Sequence, residues 1–302
     1  MAVPVVSTYS VIQKTLNDVA RVQNSLFDAQ VQLSSGKKSP DFVGIANDTQ
    51  EYLSLDYSLG KADQYLADNR LIETRLNSTG NALNNIVTLA GSLKNLIAQR
   101  RSGIANSGAF QNQLDGLWKQ ISSELNTSVN NQYLFSGSRT NTPAVQTTNF
   151  PQLAVPGQPD PDYYQGSQQD LNAILQDNTP LVYNVRADAK AFQQVFAGLA
   201  MAAEGHADNN DDALKKAYDF VDSGLQGVIT LQALVNSNKV QVGTINSSLQ
   251  SQKLYWQGVQ ESIGNTDIVS VSTRLAIDQG VLQAAFQAFA KISSLRLSDF
   301  LR

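Results

Sequence analysis

Apolar residues recur every three or four positions over most of the chain, which is the spacing of one face of an α-helix. The first such stretch ends at Ser34-Ser35-Gly36, a helix-stopping signal. Near the other end, the alternation of threes and fours continues from Val228 to Ile263, far longer than in an ordinary globular helix. The pattern therefore predicts a mainly α protein, an elongated antiparallel coiled coil or helical bundle in which the N- and C-terminal regions pair.

The middle of the chain interrupts this helical pattern. Six of the eight prolines lie between residues 138 and 190, and Leu181 to Val185 alternates like a strand. We therefore predict a small β-rich insertion at the tip of the helical hairpin. The predicted segments are an N-terminal axial helix with its turn at 1–47, an ascending rod at 48–137, the β-rich outer domain at 138–190, a returning rod at 191–265 and a C-terminal axial helix at 266–302.

Two sets of seam residues follow from the periodicity. The terminal helices carry apolar groups that nothing in their own stretch covers, which indicates an assembly interface. This first set is Ile12, Leu16, Val19, Leu26, Leu33, Leu275, Leu282, Phe286, Phe289, Ile292, Leu295 and Phe300. The second set forms the seam of the rod and is Leu76, Leu83, Ile86, Leu93, Val235, Val242, Ile245, Leu249, Trp256, Val259 and Ile263. The polar residues Asn238 and Gln252 also occupy this second seam, where they either fix the helix register or face water.

The composition favours a subunit that packs against other proteins. Charged residues make up 16% of the chain, below the usual quarter, and between residues 279 and 294 the single charge is Lys291. The net charge of −4, with no cluster of basic residues, argues against nucleic-acid binding. Val195 to Ala203, the longest apolar stretch, is far too short to cross a bilayer, and the first ten residues match a secretory signal poorly. The absence of cysteine excludes a disulfide framework and a thiolate metal site.

Few residues are candidates for chemistry. His206 is the single histidine, and we interpret it as a loop residue in water, not as a catalytic base. Asp208 to Asp219 has part of the oxygen spacing of a calcium loop, but Ala213 stands where that loop needs glycine. A helix N-cap at Asp211 or Asp212 is the preferred interpretation. We predict no catalytic, cofactor-binding or metal site, and therefore no enzyme.

Three motifs resemble conserved parts of the bacterial flagellin superfamily. Leu33 to Lys38 is similar to the end of its N-terminal helix, and Tyr133 to Thr140 is similar to its turn from helix into the outer domain. Leu282 to Ile292, with the leucines that follow, resembles its C-terminal helix. The three motifs occur in the expected order and cover both ends and the centre of the chain. Together they form a specific signal.

One departure from the flagellin pattern narrows the resemblance. Ser39 to Ala46 stands where a filament flagellin continues with a run of the type Arg-Asn-Ala-Asp-Asp-Ala-Ala-Gly, and the insertion is small. The resemblance therefore implies a structural subunit at the junction between hook and filament. A flagellin of the filament itself is the alternative. A surface ligand-binding protein that uses Tyr163 and Tyr164 is a more remote one.

The resemblance also implies a route and a set of partners. Members of the superfamily pass unfolded through the export channel of the flagellum and fold at its growing tip. The implied location is therefore extracellular, in the flagellum, without a cleaved signal peptide. The implied partners are copies of the chain, other axial proteins (hook-associated protein and flagellin) and an export chaperone, with no nucleic acid and no membrane insertion.

Overall fold

The computed structural model describes residues 8–103, 107–155, 158–159 and 161–300, and in a few of these, including 8, 9, 11, 12 and 292–300, only the backbone. The helices are α1 at Thr8–Ser35, α2 at Thr49–Arg101, α3 at Ser107–Leu125, α4 at Lys190–Ala207, α5 at Asp211–Gly264 and α6 at Ile268–Phe300. Short 3-10 helices lie at Phe42–Ile45 and Pro161–Tyr163. The strands are β1 at Ser128–Val129, β2 at Gln132–Tyr133, β3 at Leu153–Val155, β4 at Gln158–Pro159, β5 at Asn172–Gln176 and β6 at Thr179–Val182.

The strands form three antiparallel pairs, β1 with β2, β3 with β4 and β5 with β6. The mainly α class with a small β-rich insertion, which the periodicity predicted, is thus confirmed. The chain divides into two compact units: residues 1–60 with 252–302, and residues 61–251. The finer division into five segments stays a prediction.

Two helix ends show how local sequence sets the boundaries. Gly36 has a φ of +70°, a left-handed conformation that glycine adopts without strain, and it ends α1 where the sequence predicted. At the start of α5, the side chain of Asn210 accepts a hydrogen bond of 3.1 Å from the amide of Ala213. The cap is therefore Asn210, and the predicted cap at Asp211 or Asp212 is wrong. Both aspartates lie in the first turn instead, where their negative charges interact favourably with the positive end of the helix dipole.

Strand structure begins earlier than the sequence predicted. The helix α3 ends at Leu125, and a hairpin of β1 and β2 follows within the segment 48–137 that we predicted as the ascending rod. Asn130 and Asn131 form its two-residue loop with φ values of 52° and 60°. Positive φ at both loop residues defines a type I′ turn, whose twist matches that of the flanking strands. The Asn-Asn pair was the signal for this hairpin.

In the first unit, α1 packs along α6. The adjoining end of α2 packs on the end of α5 through a small cluster in which Ile45, Leu55 and Ile263 are buried. Tyr52, Trp256 and Val259 cover that cluster from its sides. Apolar burial therefore holds the base of both long helices together in this unit.

In the second unit, one part of the core is a cluster of aromatic side chains between the helices and the insertion. Trp118 lies edge-on to Phe196 with ring centroids 5.0 Å apart, and Tyr163 contacts the same phenylalanine at 4.8 Å. Phe135 of the insertion meets Phe192 of α4 at 6.2 Å. Edge-to-face contacts of this kind add to the burial of large apolar area. The insertion is thus packed onto α3 and α4 as part of the core.

Candidate assembly surface

The terminal helices α1 and α6 pair directly, with polar contacts along one side of their seam. Ser25 donates a hydrogen bond of 2.6 Å to the carboxylate of Asp278. Arg274 donates to the side-chain oxygen of Gln32 at 2.7 Å. Residue numbers rise along α1 as they fall along α6, so the two chain ends run antiparallel.

The predicted seam of this pair is only partly covered. Ala29 is fully buried, and the predicted interface residues Val19, Leu26, Leu33, Leu275 and Leu282 are half-buried. A groove between the helices is lined by Thr15, Asp18, Val19, Val22, Val281, Leu282 and Ala285. Two helices alone cannot enclose a seam that runs along both of them. The single chain therefore leaves this groove open.

Several large apolar side chains of the two helices are also exposed. Phe27 is 65% exposed, Phe286 53% and Phe289 43%, although apolar groups of this size gain most from burial. Leaving aside Ile268 and Val269 in the first turn of α6, the exposed large apolar residues described on the two helices are Leu16, Phe27, Ile277, Val281, Phe286 and Phe289. We call these six residues the terminal apolar face. Such concentrations of exposed apolar groups mark interaction sites.

Sequence reasoning found half of this face. Leu16, Phe286 and Phe289 belong to the predicted interface set, whereas Phe27, Ile277 and Val281 were missed because they fall outside the spacing used to choose that set. The four-residue step from Ile277 to Val281 was the available signal for a second stripe. The remaining predicted residues, Ile12, Ile292, Leu295 and Phe300, have side chains outside the described residues. The predicted interface as a whole stays a prediction.

A short backbone bridge joins the turn after α1 to the turn before α6. Lys37 and Asn265 face each other as an antiparallel β-bridge. The amide of Lys38 donates to the carbonyl of Gly264 at 2.8 Å, and the amide of Thr266 donates to that of Gly36 at 2.9 Å. The Lys38 ammonium also reaches the carbonyl of Ser262 at 2.9 Å, in the last turn of α5, where the helix dipole favours a cation. These contacts join the C-terminal end of α1 to the N-terminal end of α6.

The predicted rod seam is mostly buried. In the second unit Leu76, Leu83, Ile86, Leu93, Val235, Val242, Ile245 and Leu249 are all buried. In the first unit Ile263 is buried, and Trp256 and Val259 are half-buried. Within the second unit α2 and α5 run antiparallel, since Lys94 forms an ion pair with Asp222 whereas Asn84 meets Gln232. The hydrogen bond that Lys94 donates to Asp222 is the main reason that the pKa of Lys94 is raised.

The two polar seam residues have different environments. Gln252 is exposed. Asn238 is buried, and its side-chain amide donates to the carbonyl of Val182 in β6 at 3.1 Å. Of the two interpretations left open for Asn238, the one in which it faces water is therefore wrong.

His206 does not lie in a loop in water, as the sequence suggested. It belongs to the last turn of α4, is half-buried and stacks at 4.8 Å on the ring of Phe110. Its Nδ1 accepts a hydrogen bond of 2.8 Å from Arg100 at the end of α2. The neighbouring Arg101 forms an ion pair with Asp211, and this contact lowers the pKa of the aspartate. The predicted loop position was wrong because α4 extends to Ala207. The predicted contact with water was wrong because Arg100, far away in the sequence, binds the ring.

The described residues provide little for other kinds of site. Among them, no group of three histidine, cysteine or acidic side chains is placed to hold a metal ion. Over the same residues, no helix combines the length and apolarity that crossing a bilayer requires. Tyr163 is buried and donates to the carbonyl of Ala187, and Tyr164 donates to that of Ser167. Burial also raises the pKa of Tyr164 to about 12. Neither tyrosine offers the exposed platform that the ligand-binding alternative required.

The fold combines paired terminal helices, two long helices and a small β-rich insertion. The chain is thus a mainly α protein whose two ends pair with each other. Residues 6–140 match the family described as the bacterial flagellin N-terminal helical region. This stretch is therefore similar to the flagellin N-terminal region, which confirms the predicted resemblance to the flagellin superfamily. None of the curated proteins compared with the chain matches it.

Two solved structures share the fold. One is assigned to a flagellar hook-associated protein of Vibrio parahaemolyticus, with a TM-score of 0.60 and 16% sequence identity, covering 70% of this chain and 95% of that chain. The other is FlgL of Bacillus cereus, with a TM-score of 0.54 and 19% identity, covering 70% of this chain and 99% of that chain. At these identities the likeness concerns the fold.

Proposed function

We propose that the chain is a structural, non-enzymatic subunit of the bacterial flagellum that assembles through its terminal helices at the hook–filament junction. The observation that carries this proposal is the terminal apolar face, which the single chain leaves open on the α1–α6 pair. The flagellin N-terminal region supports the flagellar setting. The fold shared with a hook-associated protein and with FlgL supports the junction role.

Covering this face with a partner would gain free energy, because its apolar side chains would be buried. Burying a large apolar side chain contributes ~1.5–3 kcal/mol when it is fully exposed beforehand. Phe286 and Phe289 are about half exposed, so each gains on the order of 1 kcal/mol when a neighbour covers it. The six residues of the face act together, because one neighbouring helix can contact several of them. Assembly then supplies the cover that the single chain lacks.

The partners follow from the same face. Copies of this chain and other axial proteins, namely hook-associated protein and flagellin, present helical surfaces that would cover it. An export chaperone is the proposed cover before assembly, since an exposed apolar face invites aggregation. The proposed location is extracellular, in the flagellum, reached through the flagellar export channel.

The test is assembly of the full chain onto purified flagellar hooks, followed by electron microscopy and by sedimentation of bound protein. A double variant, Phe286→Ser with Phe289→Ser, should lose binding to hook tips while the second unit keeps its thermal transition. Ile174→Ser is the matched control, because Ile174 is 61% exposed but lies on β5, outside the terminal apolar face. The control should bind like the parent chain.

Two outcomes would overturn the proposal. Equal binding of the double variant and the parent to hook tips would show that the terminal apolar face has no role in assembly. Long filaments formed by the parent chain alone would replace the junction role with that of a filament flagellin.

A further inference from the structure

Buried amides on the rod face the β5–β6 hairpin. Asn69 of α2 is fully buried, and its side-chain amide donates to the carbonyl of Leu175 at 3.0 Å and to the side-chain oxygen of Asn246 at 2.8 Å. Asn238 of α5 is 8% exposed and donates to the carbonyl of Val182 at 3.1 Å. The hairpin therefore receives hydrogen bonds from both long helices, one at each strand. Apolar residues at these positions would leave the two carbonyls without their donors.

The turn of the hairpin is held by the same stripe of α2. Lys61 donates to one carboxylate oxygen of Asp177 at 2.7 Å, and the hydroxyl of Tyr65 donates to the other at 2.7 Å. Lys61, Tyr65 and Asn69 are four residues apart, so all three lie along one side of the helix. The hydrogen bonds from Lys61, and next from Tyr65, hold the pKa of Asp177 below its ordinary value. The hairpin is thus seated over at least two turns of α2.

The apolar seam alone leaves the alignment of α2 and α5 ambiguous. Leu76 and Leu83 of α2 are seven residues apart, and so are Val235 and Val242 of α5. If α5 slid along α2 by seven residues, apolar side chains would still meet apolar side chains. The amides break this equivalence. In a shifted alignment the hairpin could not receive the donors of Asn69 and Asn238 at once, and buried amides without partners are costly.

We propose that the β5–β6 hairpin is a register lock, which selects one alignment of α2 and α5 by accepting hydrogen bonds from Asn69 and Asn238. Asn69 and Asn238 thus hold the hairpin, and the hairpin fixes the alignment of α2 and α5. This device is independent of the terminal apolar face, since all of its residues lie in the second unit.

The first test uses Asn238→Val, which puts the ordinary seam residue at this position. In the full chain, amide hydrogen exchange in β5–β6 should become roughly three- to tenfold faster, because one hydrogen bond to the hairpin is lost. When residues 172–182 are replaced by a Gly-Ser linker, the same substitution should instead raise the unfolding midpoint of the second unit. Gln252→Val is the matched control, since Gln252 is an exposed seam position that belongs to the first unit, and it should leave hairpin exchange unchanged. Unchanged exchange in Asn238→Val would overturn the proposal.

The second test reads the alignment itself and does not depend on the linker variant folding. The chain has no cysteine, so engineered cysteines report single distances. Asn84→Cys with Gln232→Cys reports the observed alignment, in which the two side chains meet at 3.5 Å. Asn84→Cys with Lys239→Cys reports an alignment shifted by seven residues. During refolding, Asn69→Ala with Asn238→Ala should raise cross-linking of the shifted pair severalfold over the parent. Cross-linking of the observed pair alone, in both backgrounds, would overturn the proposal.

Discussion

At the residue scale, Tyr163 shows how a tyrosine with a polar hydroxyl can be part of the buried core. It is 4% exposed, donates a hydrogen bond of 2.9 Å to the carbonyl of Ala187 and lies edge-on to Phe196. Burial raises the pKa of its phenol, because the ionised form would lose its hydration. A raised pKa in the folded state means that the stabilisation is complete below the ordinary value of about 10 and is lost as the pH rises above it.

We therefore predict that the second unit loses stability steeply above pH ~10 and that Tyr163→Phe flattens this loss. At neutral pH the variant should be less stable by about 1 kcal/mol, since one hydrogen bond is removed. Urea unfolding followed by circular dichroism between pH 7 and pH 11 measures both effects. An alkaline loss of the same steepness in the variant would show that another group is responsible.

Buried apolar positions were easier to predict from the sequence than the partners of polar side chains. The periodicity identified Leu83, Ile86 and Val242 as seam residues, and all three are buried. It could not show that Arg100 reaches His206 or that Asn238 reaches Val182, because each of these contacts joins distant parts of the chain. From the sequence alone, a polar side chain on a helix can equally well be exposed to water or buried against a hydrogen-bond partner.

At the element scale, α4 and α5 approach each other closely through glycines. A Cβ built on Gly198 would lie 2.4 Å from a methyl of Val221 and 3.0 Å from the carbonyl of Ala217. A Cβ on Gly224 of α5 would lie 2.9 Å from the carbonyl of Ala191. Glycines on both helices therefore permit a backbone approach that any side chain would prevent. Gly243 of α5, in contrast, has open space around it.

One substitution should therefore have opposite effects at two positions. Gly198→Ala should destabilise the second unit by about 1–3 kcal/mol through overpacking. Gly243→Ala should stabilise it by about 0.4–1 kcal/mol, since alanine restricts the unfolded chain and fits the helix. Thermal and urea unfolding of both variants measure the difference. A stabilising effect at Gly198 would mean that the α4–α5 packing is looser than described.

Long elements were predicted more accurately from the sequence than short ones. The ascending rod predicted from residue 48 begins with α2 at Thr49–Arg101, and the returning rod predicted from residue 191 begins with α4 at Lys190–Ala207. The short hairpin of β1 and β2 was missed, because its strands have two residues each and no alternating pattern can appear. Only its turn residues carried a signal.

At the scale of the whole molecule, the proposed function requires the two chain ends to act as one pair. The joint at Lys37 and Asn265 is what connects their turns through the backbone. Its two hydrogen bonds flank this residue pair, so Lys37 and Asn265 form a non-hydrogen-bonded pair with Cα atoms about 4.5 Å apart. That separation lies within the range that a disulfide accepts.

Lys37→Cys with Asn265→Cys should therefore form an intramolecular disulfide under oxidation, in a chain that has no other cysteine. If the α1–α6 pair seen in the single chain is the form that assembles, the oxidised protein should bind hook tips as well as the reduced protein. Its terminal helices should also resist protease longer, because the cross-link limits their separation. Non-reducing gels, hook-tip binding and limited proteolysis measure these outcomes, with each single cysteine variant as control. Binding that disappears on oxidation and returns on reduction would show that the joint must open before the chain ends can assemble.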